Sequence, residues 1–146
     1  MIIDTSAIIA ILQGEPEAVE FVQLIRATRP VRLSAASYLE AAIVSDRSPD
    51  PVVRAGLDAL LAELSVIIEP ITVEQASLAR EAHRAYGRGS GHPARLNFGD
   101  CFVYALAKAT NEPILYKGTD FALTDIRFAG RRADRHRLSE LIPAYG

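Results

Sequence analysis

Four of the eighteen acidic residues in this 146-residue chain fall where carboxylates can act together: Asp4, Glu40, Asp100 and Asp120. Asp4 closes the apolar run Ile2-Ile3, and Glu40 lies early in a helical stretch that follows the apolar residues 31–33. Asp100 sits in the first turn of another helical stretch, and Asp120 comes four residues after the apolar run 114–116. Two carboxylates about 4 Å apart repel by about 4 kcal/mol at an effective dielectric near 20, so four gathered together protonate or destabilise the fold unless a cation compensates. A hard divalent ion is the natural partner, because Mg²⁺ takes oxygen ligands and keeps waters that a phosphate can replace. The chemistry such a site supports is hydrolysis of phosphate esters.

Each acid also has a plainer reading. Ser37-x-x-Glu40 has the form of a capping box, Asn97-x-x-Asp100 puts an acid at the third helical position, and Asp4 or Asp120 can cap the next element. The neighbours favour more than capping. Asp4, Glu40 and Asp100 are flanked by apolar or small residues, as in Tyr38-Leu39-Glu40-Ala41-Ala42 and Phe98-Gly99-Asp100-Cys101-Phe102, whereas charged caps normally face solvent. Asp125 is a further candidate, with an exposed turn acid as its plainer reading.

The elements that must carry these residues alternate. Residues 1–4 form a short strand and 7–12 a helix, with a second helix over 19–27 after the Gly14 and Pro16 break. A strand over 31–33 hands over to a helix over 34–44, and a helix over 52–64 follows the Ser-Pro-Asp-Pro break. Residues 66–69 form a strand, and Thr72-x-x-Gln75 opens a helix to Tyr86. The stretch 86–93, with three glycines and a proline, is a loop; a helix over 98–109 capped by Asn97, a strand over 114–116 and a last strand over 126–128 complete the chain. Such alternation predicts an α/β sandwich around a mainly parallel sheet, with its active crevice beyond the carboxyl ends of the strands.

Composition bounds the rest. One domain is expected at this length. Sixteen basic against eighteen acidic residues give a net charge of −2, which argues against nucleic-acid binding through bulk positive charge. The charge is unevenly spread: residues 127–146 carry five Arg against two acids. Cys101 is the sole cysteine, so no internal disulfide forms, and with no leader-like start a cytoplasmic protein is expected. No apolar run reaches the length of a membrane span. His83, His92 and His136 lack metal-ligand spacing, and zinc is not expected.

At the four acids the chain resembles the PIN-domain family, and within it the VapC toxins of bacterial toxin–antitoxin pairs. The matching stretches are MIIDTSAIIAIL at the start, SAASYLEAAIV around Glu40, LNFGDCFVYALAKATNEPILYKGTDF over 96–121 and TDI over 124–126. The resemblance implies a three-layer α/β sandwich with its sheet flanked by helices, a PIN-like nuclease domain over 1–130 and an Arg-rich tail over 131–146 that has no counterpart in the pattern. It implies that Asp4, Glu40, Asp100 and Asp120 surround one or two Mg²⁺ or Mn²⁺ ions and hydrolyse RNA, with the hydroxyls of Thr5 and Thr119 in support. It also implies a homodimer and a VapB-like antitoxin partner.

Lys117, three residues before Asp120, is the residue placed to touch a substrate phosphate. Arg80, Arg84 and Arg88 recur at i, i+4 and i+8 on one face leading into the glycine loop, which is either a phosphate track or a solvated surface. Two other functions compete with a metal-dependent ribonuclease. One is a catalytically silent module that binds RNA or a partner, against which the four intact acids speak. The other is a haloacid-dehalogenase-like phosphatase with Asp4 as nucleophile, but that chemistry wants a second Asp two residues on, where Ser6 stands.

Overall fold

The computed structural model describes residues 1–130, so the Arg-rich stretch 131–146 lies outside the described residues. Ten elements run β1 (Ile2–Ile3), α1 (Thr5–Leu12), α2 (Ala18–Ala27), β2 (Arg32–Ser34), α3 (Ala35–Asp46), α4 (Pro51–Glu63), β3 (Ile67–Glu69), α5 (Val73–Tyr86), α6 (Phe98–Thr110) and β4 (Ile114–Leu115). The four strands pair in parallel in the order β3-β2-β1-β4, so the first strand of the chain is inside the sheet.

That central position explains the consecutive apolar residues. Side chains alternate across a strand, and a parallel sheet is covered on both faces. Ile3 and Leu115 accordingly enter one core with Ala7, Ile8, Phe21, Ile25, Leu57 and Leu61 of α1, α2 and α4, while Ile2 and Ile114 enter a second core with Ala79, Leu106 and Phe121. The result is the expected three-layer sandwich: α1 to α4 over one face of the sheet, α5 and α6 over the other.

Local chemistry sets the element boundaries. Asp50 caps α4, with Pro51 at its first position, and the Thr72 hydroxyl accepts the Gln75 amide at the start of α5. A reciprocal capping box forms at α6, where Asn97 accepts from the Asp100 amide and Asp100 accepts from the Asn97 amide.

Two expectations need correction. Helix α3 starts at Ala35 under the Ser34 hydroxyl, which places Ser37 and Glu40 inside the helix and rules out a capping box between them. The expected last strand is reduced to a single bridge between Ile114 and Phe128. Among the described residues no helix is long and apolar enough to cross a membrane.

Candidate active site

The carboxyl ends of β1 and β4, the second turn of α3 and the first turn of α6 meet around a cavity of about 420 Å³. Asp4, Glu40, Asp100 and Asp120 all line it, together with Thr5, Ser6, Glu15, Asn97 and Lys117. Residues from the first strand and from beyond the last are therefore neighbours.

Asp4 follows directly on β1, and its amide donates to the Leu115 carbonyl at 2.9 Å, which ties it to the end of β4. Its Oδ2 accepts the Ser6 amide at 3.0 Å and caps α1, and the Ser6 hydroxyl donates to the same oxygen. Ser6 Oγ in turn accepts the Lys117 amide at 3.0 Å, so one hydroxyl joins the first acid to the chain segment that carries the last. Asp100 Oδ2 accepts the Asn97 amide at 2.9 Å in the capping box of α6. Capping and site formation are thus not alternatives, because both buried acids do both.

Glu40 and Asp120 are more exposed. The Glu40 carboxyl lies against Gly99 in the first turn of α6. Asp120 is held from behind: Phe121 is fully buried and packs on Tyr116 with ring centroids 5.3 Å apart. Gly118, at φ +96°, supplies the left-handed turn between Lys117 and Asp120.

The electrostatics are those of an uncompensated cluster. Burial pushes the Asp100 carboxyl up to about 6, and the charges of Asp120, Asp4 and Glu40 push in the same direction against the Asn97 amide. Asp4 is raised by burial and by Asp120, in spite of the two hydrogen bonds from Ser6. Much of the Glu40 side chain is exposed, yet desolvation at its carboxyl end and the Asp4 charge raise it too. Among the described residues, none of the four acids has an ion-pair partner. Lys117 lines the same cavity, but its ammonium pairs with Glu15 and, at 3.5 Å, with Glu17.

The donor set fits a hard divalent cation: four carboxylates lining one cavity, two of them buried and held by helix starts and two exposed. Among the described residues no three acid, His or Cys side chains already stand as a closed chelate.

The other residues expected from the sequence divide. Thr5 lines the cavity, but its hydroxyl donates to the Ser37 carbonyl at 3.1 Å, which joins α1 to α3. Thr119 is exposed beside Asp120 and is not part of the cavity wall. Arg80 and Arg84 line a different, mainly apolar groove of about 550 Å³ between α5 and α6, with Ala76, Ala79, Phe98 and Phe102. Asp125 is turned away from the acids and accepts from the Tyr104 hydroxyl at 2.7 Å and from Lys108. Ser6 and Glu15 were not among the expected site residues: Ser6 sits one helical residue beyond Asp4-Thr5, a legible signal, whereas nothing in the sequence marks Glu15.

A family model described as "PIN domain" matches residues 1–127. Ribonuclease VapC28 of Mycobacterium tuberculosis is 53% identical over 129 residues, which cover 88% of this chain and 97% of that protein. Ribonuclease VapC of Mycolicibacterium smegmatis is 50% identical over 128 residues, covering 86% and 97%. Among solved structures, M. tuberculosis VapC20, described as a sarcin-ricin loop cleaving toxin, superposes with a TM-score of 0.66 at 18% identity over 86% of this chain and 95% of that one. FitAcB from Neisseria gonorrhoeae superposes with a TM-score of 0.63 at 19% identity, covering 87% and 94%. At these identities the two structures speak to the fold alone.

Proposed function

The chain belongs to the PIN-domain family, and on that footing we propose that it is a divalent-metal-dependent endoribonuclease, the toxin of a VapBC-type toxin–antitoxin pair. The observation that carries this reading is the convergence of Asp4, Glu40, Asp100 and Asp120 on one cavity, where their mutual repulsion has no cationic partner among the described residues. The names of the relatives, VapC ribonucleases at 45 to 53% identity, support the same activity.

Asp4 and Asp100 would hold the principal ion, Mg²⁺ or Mn²⁺, and Glu40 and Asp120 would serve as its further ligands or as ligands of a second ion. When bound, such an ion supplies Lewis acidity to a phosphodiester oxygen and to the attacking water. The chain's own residues do the rest. Ser6 and Asn97 fix the two buried carboxylates, which keeps the reacting groups oriented before substrate arrives. Glu40, with its carboxyl raised above the ordinary glutamate range, orients the water and takes its proton. Lys117 meets phosphate charge at the rim by exchanging its Glu15 partner for the substrate. Thr5 supports the first acid by tying α1 to α3 through the Ser37 carbonyl, Thr119 adjoins the last acid in the chain, and Arg80 and Arg84 attract flanking RNA from their own groove. A cognate VapB-like antitoxin, a homodimer and a cytoplasmic setting complete the reading.

The test is to incubate the purified protein with a structured RNA and with a phosphomonoester, each in Mg²⁺, Mn²⁺ or EDTA. RNA cleavage abolished by EDTA is expected. Cleavage of neither substrate points to a silent binding module, and phosphomonoester release alone points to a phosphatase; either result defeats the reading.

A further inference from the structure

We propose that Gly99 is a positioning residue for Glu40, present because a side chain at this point would expel the Glu40 carboxyl from the cavity. Gly99 occupies the second position of α6 and has no left-handed backbone to account for it, in contrast to Gly118. In a helix a glycine without such a reason is a weaker choice than alanine. What distinguishes the position is the space in front of it. A Cβ built on Gly99 falls 2.8 Å from the Glu40 carboxyl carbon and 2.9 Å from one carboxylate oxygen, and overlaps the other. At Gly14, Gly89, Gly91 and Gly118 a Cβ meets nothing within 4 Å. Gly87 and Gly130 are crowded too, but by His83, its carbonyl oxygen included, and by the ring of Phe128, residues close by in the chain. Among the described glycines only Gly99 faces a carboxylate, and that from another helix.

The collision partner matters as much as the distance. All three atoms belong to the far end of a flexible side chain on α3, and no backbone atom is among them. The fold can therefore accept a methyl group at residue 99 by moving Glu40 and little else. Gly99 is also the neighbour of Asp100, so the missing Cβ lets a carboxylate from α3 reach the start of α6 beside the buried acid. A negative charge at a helix N-terminus is favourable, which gives Glu40 a reason to stay there once the space exists. The importance of that location to activity rests on the reading of Glu40 given above; the location itself does not.

The experiment compares wild type, Gly99→Ala, Glu40→Ala and the double variant by crystal structure, by thermal melting in EDTA, by calorimetric titration with Mn²⁺ in the absence of RNA, and by RNA cleavage. In Gly99→Ala the Glu40 carboxyl should be displaced from the first turn of α6 with the rest of the fold unchanged; an unmoved carboxyl overturns the proposal, whatever the other variants do. Mn²⁺ affinity should fall by about tenfold in Gly99→Ala, the scale of losing a group that orients a metal site, and the double variant should bind no more weakly than Glu40→Ala alone. Multiplicative losses in the double variant would show that residue 99 acts independently of Glu40, and overturn the proposal. Should Gly99→Ala melt below wild type, Glu40→Ala must restore it by removing the collision; a deficit that persists in the double variant also overturns it. If Glu40→Ala itself leaves Mn²⁺ binding and cleavage intact, the functional reading of Glu40 fails, while the displacement in the crystal still decides the role of Gly99.

Discussion

Asp4 and Asp100 are the two buried acids among the described residues, each 8% exposed, and each commits its Oδ2 atom to a backbone amide that starts a helix. They stand on segments far apart along the chain, yet face the same cavity. Each acid is thus a helix cap and a lining group of the cavity, which shapes what substitution should do.

Asp4→Asn keeps the capping oxygen, and Asn is as good a cap as Asp. It removes one charge from a cluster that has no cationic partner among the described residues. RNA cleavage should therefore fall to background while the melting temperature in EDTA stays the same or rises. Cleavage assays alongside thermal melts decide this, and a variant that still cuts RNA at the wild-type rate removes Asp4 from the site.

The raised carboxyls predict how stability depends on pH. An Asp100 held at about 6 in the native state binds a proton that the unfolded chain, near 3.8, has released. Stability in EDTA should thus increase as pH falls from about 7.5 toward about 5, by roughly 1.4 kcal/mol from this group, and by about 3 kcal/mol only once the pH is below the unfolded value. Asp4 and Glu40, also raised, push the same way. Urea unfolding at several pH values measures the slope. Saturating Mg²⁺ should flatten it by stabilising the ionised forms, and stability that instead rises with pH over the same window in EDTA contradicts a cluster of repelling carboxylates.

Asp120 and Asp125 are near neighbours in the chain but should behave oppositely. Asp125 accepts from Tyr104 and Lys108, away from the other acids, so Asp125→Ala should lose about 1 kcal/mol of stability with RNA cleavage retained. Asp120→Asn should leave the melting temperature nearly unchanged and reduce cleavage, since the side chain is exposed and lines the cavity. Parallel melts and cleavage assays separate the two, and the reverse pattern would exchange their roles.

The order of strands and helices was legible in the sequence because burial on both faces of a central strand demands consecutive apolar residues, as in Ile2-Ile3, and because amphipathic helices repeat at their own period. Helix starts were legible where the capping residue is unambiguous, as at Thr72 and Asn97. At α3 two serines compete, and Ser34 prevails over Ser37 as the cap; spacing alone cannot rank two residues of one type when the end of the preceding strand decides where the helix begins.

The types of the four acids, and the apolar or small neighbours of Asp4, Glu40 and Asp100, were legible in the chain's own order; that Asp4 and Asp100 are buried while Glu40 stays exposed was not. Their meeting was decided only when α3 and α6 crossed beside the ends of β1 and β4. The same crossing placed the Glu40 carboxyl against Gly99, while the assembled layers paired Lys117 with Glu15 and sent Arg80 and Arg84 to a separate groove. Periodicity reports which face of an element is apolar. It carries no information on which atoms of a distant element lie opposite that face, because this depends on packing distances and crossing directions that exist only once the layers have assembled.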